Sequence, residues 1–306
     1  MTADAGFAPD VAPATPRLRR QYAKLCDIHD FDEELQQRIR EIDPQLELGG
    51  VLHRKYWEFA LLALFADDVG ALRDDARVLS VAAGHEPVLF WLANRVGKIV
   101  ATDIYGEGEF AYREAATSML HEPAAFAPFP YREDRLEVLH MDGTSLEFED
   151  DSFDLVFTLS SIEHFGSLAN VERAANEVGR VTRPGGHAFV TTECFVGRHP
   201  LNSRLVQTLI RGVTFGRRCQ TATPRRRMLT VFTPEELKRH VVRPTRLKLM
   251  QRLERDVSND SWDNLIRWRG AGELTPRTDE PLPHVLLQAH GSPWTSAALP
   301  LQKLES

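Results

Sequence analysis

The chain has 306 residues, of which 42% are hydrophobic and 26% are charged. These ordinary globular values exclude a largely disordered, collagen-like or coiled-coil chain. The longest strictly apolar run, Phe59–Ala66, is far shorter than the ~18–20 residues needed to cross a bilayer. Residues 1–16 are rich in Ala and Pro, without a basic start or an apolar stretch, which predicts a disordered N-terminus, no secretory signal and a cytoplasmic protein.

The formal net charge of −7 hides a marked asymmetry along the chain. Between Arg211 and Arg255 there are thirteen Lys/Arg and three acids, a local charge of +10, so the rest of the chain carries −17. Such a basic segment indicates either contact with an anionic partner or a solvated surface paired with neighbouring carboxylates.

The cysteines and histidines predict no metal site and no disulfide framework. Three cysteines (Cys26, Cys194, Cys219) lie far apart, match no zinc spacing and fit a reducing compartment. The histidines form no metal-ligand spacing either, so we predict that no metal is required.

Two helices precede the first strand signal and predict an N-terminal helical cap over residues 17–70. The first, Phe31–Ile42, is amphipathic, and the second, Val51–Phe65, is more apolar. Strands and helices then alternate, which implies a mostly parallel sheet with right-handed crossovers. The predicted strands are Arg77–Ala82, Lys98–Thr102, Leu136–His140, Phe153–Leu159 and His187–Thr192. The predicted helices between them are Glu86–Leu92, Glu109–Leu120 and Ser167–Val181.

The alternation is lost over Cys194–Leu229 and returns with a strong helix start at Thr233, where a Thr cap, Pro and Glu follow one another. Arg246–Leu253 and His284–Ala289 are two predicted late strands. We therefore expect one domain, residues 71–306, with an insertion at 194–232.

Polar residues follow each strand of the predicted sheet, where ligands of open parallel sheets bind. Asp103 stands 19 residues beyond Gly84, near the spacing at which a carboxylate accepts both ribose hydroxyls. Asp142-Gly143 follows the third strand and could meet an adenine edge. The pattern predicts a nucleoside-type site.

The residues of the first turn, Ala83–Glu86, indicate which of two possible ligands the site would bind. A dinucleotide needs a glycine-rich turn with free N–H groups for its pyrophosphate. Here Glu86 would repel a phosphate and Pro87 has no N–H, whereas the sulfonium and ammonium of S-adenosylmethionine suit an acidic turn. The alternative is that Glu86 and Pro87 only begin a helix.

Over residues 77–193 the chain resembles the class I S-adenosylmethionine-dependent methyltransferases of the type 11-like group. The motifs that carry the resemblance are Val78–Glu86, Asp103, Asp142-Gly143, Asp151–Phe157 followed by Ser160–Phe165, and Arg183–Gly186. The resemblance implies a Rossmann-like, doubly wound, mostly parallel seven-stranded sheet, with S-adenosyl-L-methionine as cofactor. It places cofactor-binding residues at Ala82, Ala83, Gly84, Glu86, Asp103, Ile104, Asp142, Gly143, Ser160 and Ser161.

The first motif departs from the family pattern at two places. Ser80 stands where an acid is usual, and Gly84 alone remains of three glycines. The sequence is similar to a subgroup with Gly-x-Glu in this turn, so we hypothesise that Glu86 supplies the missing carboxylate.

The resemblance implies methyl transfer by direct displacement, with positioning as the main contribution of the protein. A base helps only when the acceptor is a hydroxyl or an ammonium. Glu163 and His164 after the fourth strand are the catalytic candidates, with His164 as the candidate base. The alternative is that this pair only shapes the pocket. Glu193 and His199 are weaker candidates on the acceptor side.

We expect a small-molecule or saccharide acceptor and O-methylation, by analogy of fold and motif. The basic segment suggests an anionic acceptor, whereas nucleic acid is disfavoured because aromatic residues for base stacking are few there. The alternatives are a non-catalytic S-adenosylmethionine-binding protein and, less favoured, an NAD(P)-dependent oxidoreductase.

Overall fold

The computed structural model describes residues 18–46, 52–196 except 109 and 113, 231–269, 273–275, 283–289 and 292–305, with 209, 212, 213 and 215. The predicted disordered N-terminus, 1–16, lies outside these residues, as does most of the predicted insertion.

One mixed sheet runs through the described part of the chain. Its strands are β1 (Arg77–Val81), β2 (Lys98–Asp103), β3 (Leu136–His140), β4 (Phe153–Leu159), β5 (Thr182–Phe195), β6 (Lys248–Leu249), β7 (Ile266–Arg269), β8 (Glu273–Thr275), β9 (Leu287–Ala289) and β10 (Ser292–Gln302). Strands β1 to β5 are mutually parallel in the order β3-β2-β1-β4-β5, and β10 lies antiparallel beside β5. The Rossmann-like, mostly parallel class predicted from the sequence is confirmed.

The far side of the sheet differs from the prediction. The end of β10 pairs with β6, so that β1 to β5, β10 and β6 make seven strands. The beginning of β10 pairs instead with β9. Strand β7 pairs with β9 and strand β8 with β7, which extends the sheet further. The described chain therefore contributes ten strands, not seven. The sequence did not predict β10, because two prolines and several small residues replace the β-branched alternation that indicates a strand.

The helices cover both faces of the sheet. They are α1 (Glu33–Ile42), α2 (Arg54–Asp68), α3 (Pro87–Ala93), α4 (Leu168–Val181), α5 (Pro234–Glu236), which continues as a π-helical segment (Leu237–Val242) into α6 (Arg243–Thr245), and α7 (Asn259–Asp263). The predicted cap at Thr233 is in place and forms a capping box with Glu236, and Ser167, where the predicted helix begins, caps α4. No described helix has the length and apolar character that a membrane span requires.

The core is divided between the two faces of the sheet. Helices α1, α2 and α3 bury Trp57, Phe65 and Trp91 on one face, and α4 with the π-helical segment buries Val178 and Val241 on the other. Strand β4 is buried at every position, as expected for a strand covered on both faces.

The N-terminal segment belongs to the same packed body. Leu25 forms a bridge with Ala297 of β10, and Cys26 N donates to Ser296 O at 2.8 Å. The ring of Phe65 in α2 lies 5.4 Å from that of Tyr22 and 5.1 Å from that of Phe189 in β5. The segment predicted as a cap over 17–70 thus shares the core of the sheet.

The helix predicted over Glu109–Leu120 is wrong for most of its length. The described residues before 117 form turns and bends, and only Thr117–Leu120 is a short 3-10 helix. Gly106 N donates to Ala115 O at 2.9 Å and Ala115 N to Phe110 O at 3.0 Å, which closes a loop instead of a helical ladder. We call residues 104–117 the strap.

Strand β5 extends past residue 194, where the predicted insertion was expected to begin. Strand β5 continues to Phe195, and Phe232 returns beside it, with its N–H donating to Glu193 O at 3.0 Å. Cys194 stays in the strand because its side chain is fully buried in the core.

Substitution Phe65→Ala tests whether the N-terminal segment and the sheet form one cooperative unit. We expect a loss of about 3–5 kcal/mol in the free energy of unfolding, because a buried ring between α2 and β5 is removed. Urea denaturation followed by circular dichroism and tryptophan fluorescence should show one shared transition at a lower midpoint. Tyr112→Ala, at a side chain 96% exposed, is the control; two separate transitions would contradict a single core.

Candidate active site

The ends of β1 and β2 are joined through Asp103. Its Oδ2 accepts a hydrogen bond from Gly84 N and its Oδ1 one from Ile104 N, both at 2.8 Å. Burial raises the pKa of this carboxyl, and the two backbone N–H groups oppose that shift. The hydrogen bonds hold Asp103 at the turn predicted to face a nucleoside, and Ile104 beside it is 38% exposed.

The turns after β1 and β4 contain residues in the left-handed region. Ala82 has φ +55° and Ser160 has φ +46°, values that non-glycine residues adopt at a cost of roughly 1–3 kcal/mol. Ser161 Oγ donates to Ala82 O at 3.0 Å, which joins the two strand ends. Ala83 is buried behind them, and its N–H donates to Thr102 O at 3.0 Å.

The end of β3 reaches the same edge. Met141 N donates to Asp103 O at 2.9 Å, and Asp142 Oδ1 accepts from Thr144 N at 2.8 Å, which shapes its own turn. A Cβ added at Gly143 would lie 2.8 Å from Val81 Cγ1 and 2.9 Å from Phe165 Cζ. The structure therefore brings all ten sequence-predicted cofactor residues to one edge of the sheet.

Glu86 does more than begin a helix. It is the N-cap residue of α3, yet its side chain makes no capping hydrogen bond. Instead Glu86 Oε1 lies 2.5 Å from Lys55 Nζ of α2, and Lys55 Nζ donates to Leu159 O, at the end of β4, at 2.6 Å. Burial raises the pKa of Glu86 to about 7, while Lys55 opposes the shift and Glu58 and Asp103 add to it.

A buried carboxylate of α2, Glu58, lies behind this pair. It is fully buried and accepts hydrogen bonds from Ser160 Oγ at 2.6 Å, Thr191 Oγ1 at 3.0 Å and the hydroxyl of Ser296. Arg54 NH1 also donates to it, at 3.3 Å. These bonds tie α2 to β4, β5 and β10 at the carboxyl ends of the parallel strands.

Two more buried carboxylates lie near the ends of β4 and β5, where the sequence analysis expects the acceptor. Glu193 Oε1 accepts from Arg54 NH2 at 2.7 Å, and Glu163 Oε2 from Thr192 Oγ1 at 2.8 Å. The other oxygen of each carboxylate has no hydrogen-bond partner among the described residues. Burial raises the pKa of Glu163, and raises that of Glu193 to about 8 against the opposing effect of Arg54.

His164 follows Glu163 directly at the end of β4. Its ring lies edge-on to Phe110 of the strap at 4.8 Å. The strap also approaches the first turn, because a Cβ added at Gly84 would lie 2.5 Å from Glu114 O. The strap thus borders both the nucleoside side and the acceptor side of the site.

Sequence reasoning missed Arg54, Lys55 and Glu58. The available signal was the run of charges beside the apolar stretch of α2, since charged residues in or next to a buried stretch need partners. His199 lies outside the described residues. Within the described part of the chain, no three His, Cys, Asp or Glu side chains gather as metal ligands.

Residues 79–190 match the family model described as a methyltransferase domain. The match covers β1 to β5, the strands whose ends carry the predicted site. Residues 79–190 are a methyltransferase domain, and the match together with the strand order supports a class I S-adenosylmethionine-dependent methyltransferase. S-adenosylmethionine is therefore its cofactor, and the acidic first turn with Asp103 fits the charges of that molecule. No curated protein matches the chain.

Several solved structures are similar to this chain at low sequence identity. The YcgJ protein from Bacillus subtilis has 15% identity and a TM-score of 0.48, with 81% of this chain and 99% of that one covered. A SAM-dependent methyltransferase from Methanosarcina mazei has 17% identity and a TM-score of 0.43, with 78% and 96% covered. A phosphoethanolamine N-methyltransferase from Haemonchus contortus, in complex with S-adenosyl-L-methionine, has 16% identity and a TM-score of 0.39, with 60% and 35% covered.

Substitution Glu86→Gln tests the role of the acidic turn. We expect S-adenosylhomocysteine to bind about 10- to 100-fold more weakly at pH 8, because a charged acceptor for an ammonium is lost. In the wild type, Glu86 must be ionised to bind a cation. Its pKa of about 7 therefore predicts affinity that rises with pH up to about 7 and is level above.

Calorimetric titration between pH 5.5 and 8.5 measures both effects. The Gln variant should lose the part of the pH dependence that Glu86 contributes. Glu137→Gln is the matched control, since Glu137 pairs with Lys98 at 3.4 Å on the exposed side of the sheet. If the Glu86→Gln variant binds S-adenosylhomocysteine as tightly as the wild type does, Glu86 does not contribute to cofactor binding.

Proposed function

We propose that this methyltransferase transfers a methyl group to a hydroxyl of a small-molecule or saccharide acceptor. The observation that carries the proposal is the pair of buried carboxylates, Glu163 and Glu193, each with one oxygen that accepts no hydrogen bond from the described residues. A hydroxyl must lose its proton when its oxygen is methylated, and a buried carboxylate in this place can receive that proton.

The cofactor residues we propose are those gathered at the strand ends. Asp103 would accept the ribose hydroxyls, since its carboxylate is fixed at the first turn by Gly84 N and Ile104 N. Ile104 and the Asp142-Gly143 turn would flank the adenine, and Glu86 would face the cationic end. Ala82, Ala83, Ser160 and Ser161 shape the turns that admit the cofactor. When bound, S-adenosylmethionine supplies a methyl group on a positively charged sulfur, which a nucleophilic oxygen can take by direct displacement.

Glu163 is the proposed proton acceptor. Thr192 fixes one of its oxygens and leaves the other for the acceptor hydroxyl. Burial raises its pKa, which makes the ionised carboxylate a stronger base, and neighbouring His164 favours the ionised form. His164 is thus proposed to set the charge of Glu163, and Arg54 to hold Glu193 in place beside it.

The charge of the acceptor stays a prediction from the sequence. Arg217, Arg218 and Arg225–Arg227, the densest part of the basic segment, lie outside the described residues. The described groups nearest the proposed reacting site are mainly carboxylates, and these would repel an anionic group. We therefore expect the methylated group to be a neutral hydroxyl. Another part of the acceptor can still be anionic.

An isotope-labelled methyl assay tests the proposed activity. Purified protein is incubated with methyl-labelled S-adenosylmethionine and a panel of polyols, sugars, nucleotide sugars and amines, and products are assigned by mass spectrometry and NMR. We expect label on oxygen. Label on nitrogen alone would contradict O-methylation, and binding of the cofactor without transfer to any acceptor would favour the non-catalytic alternative.

With an acceptor identified, Glu163→Gln should lower kcat by about 10²-fold or more, the usual contribution of a positioned base. His164→Ala should lower it less and shift the pH profile of kcat to higher pH, because a neighbour that favours ionised Glu163 is removed. Glu172→Gln, at a partly exposed side chain paired with His240, is the control. Full activity in Glu163→Gln together with inactive His164→Ala would assign the base to His164.

A further inference from the structure

An ion pair between α2 and the first turn lies at the centre of the proposed cofactor site. Lys55 Nζ is 2.5 Å from Glu86 Oε1 and donates to Leu159 O at 2.6 Å. The N–H of Lys55 donates to the ring of His53, the N-cap residue of α2, which fixes the start of the helix. The ammonium is therefore held at the carboxyl ends of β1 and β4.

This pair is open, unlike the ion pair next to it. The side chains of Lys55 and Glu86 are 29% and 13% exposed, whereas Arg54 and Glu193 are 14% and 2% exposed. Arg54 also donates to Ser296 Oγ at 2.9 Å and to Glu58, so its donors are directed into the protein. A ligand at the strand ends can reach the Lys55–Glu86 pair.

Both partners keep hydrogen-bonding capacity. A lysine ammonium has three donors. Lys55 Nζ lies 2.5 Å from Glu86 Oε1 and 2.6 Å from Leu159 O, while its ion-pair contact with Glu58 Oε2 is longer, at 3.5 Å. Glu86 Oε2 accepts no hydrogen bond from the described part of the chain. One donor on Lys55 and one acceptor on Glu86 therefore stay available side by side.

A carboxylate beside an ammonium is complementary to an α-amino acid, which carries both charges on one carbon. Such a ligand adds no net charge to a partly buried site, so neither charge is left uncompensated. The cofactor of this enzyme ends in this group. The order along the sheet is also consistent, because Asp103 at β2, Glu86 after β1 and Lys55 against β4 follow one another across the strand ends.

We propose that Lys55 and Glu86 form the subsite for the amino-acid end of S-adenosylmethionine, with Lys55 donating to its carboxylate and Glu86 accepting from its ammonium. This assignment rests on the cofactor site proposed above. Lys55 lies outside the segment that matches the methyltransferase family, so α2 contributes a cofactor-binding side chain from outside the matched domain.

The experiment compares three probes by calorimetry: S-adenosylhomocysteine, its decarboxylated analogue, and 5′-methylthioadenosine, which lacks the amino-acid group. In the wild type, both truncated probes should bind more weakly than S-adenosylhomocysteine. Lys55→Gln should bind S-adenosylhomocysteine about tenfold more weakly or worse, because a charged donor is lost, and should bind 5′-methylthioadenosine as the wild type does. The wild-type penalty for removing the carboxylate should largely disappear in this variant.

Two further variants separate the proposed contact from a general effect on folding. Lys55→Arg keeps the charge and should retain more affinity for S-adenosylhomocysteine than Lys55→Gln. Lys98→Gln removes the lysine of the exposed Lys98–Glu137 pair and should bind all probes as the wild type does. Thermal unfolding of each variant checks that the fold is kept.

The possible failures are distinguishable. If the wild type binds neither S-adenosylhomocysteine nor 5′-methylthioadenosine, the proposed cofactor site itself is wrong. If the wild type binds both probes and Lys55→Gln weakens both equally, or neither, the Lys55 subsite is wrong while the cofactor site stands.

Discussion

The buried carboxylate of Glu58 is the constraint on which the site depends. A carboxylate with no exposure to water is tolerated only when hydrogen bonds and charges compensate it. Ser160, Thr191 and Ser296 supply those bonds, and Arg54 supplies the charge. Because these partners come from β4, β5 and β10, satisfying one side chain fixes α2 against three strands at once.

That attachment makes the N-terminal helix part of the active-site wall. Arg54 and Lys55, one helical turn before Glu58, are placed by it next to Glu193 and Glu86. The two pairs differ in depth. The Arg54–Glu193 pair is the more buried and would orient a carboxylate on the proposed acceptor side, whereas the Lys55–Glu86 pair is the more exposed and is the proposed ligand subsite.

The proposed site holds more carboxylates than cations, which decides the kind of ligand it would accept. Among the described residues, Arg54 and Lys55 form the ion pairs with Glu58, Glu86 and Glu193. Burial raises the pKa values of Glu86, Glu163 and Glu193. A phosphate would add negative charge to this surplus, whereas a cationic group relieves it. In the proposed reaction, the same surplus would keep a basic carboxylate close to the hydroxyl that loses its proton.

The sequence predicted the local features well because their causes are local. Short apolar runs predicted β1 to β4 within one residue at each end, and the capping residues Ser167 and Thr233 begin helices as expected. The predicted helix over Glu109–Leu120 failed because hydrogen bonds between Gly106, Phe110 and Ala115 close the strap into a loop. The sequence analysis missed β10 because its composition is not typical of a strand. It is a strand because it pairs with β5 on one side and with β9 on the other.

By itself, the sequence determined the alternating α/β order, the acidic first turn and the polar residues that follow each parallel strand, since each depends on neighbours within a few residues. Only the tertiary structure decided which partners those residues have. Glu86 meets Lys55, Glu193 meets Arg54 and Glu58 meets Ser296 across separations that no periodicity encodes. The physical reason is that a charged side chain indicates by its type that it needs a partner, while the packing of the whole chain selects which one it has.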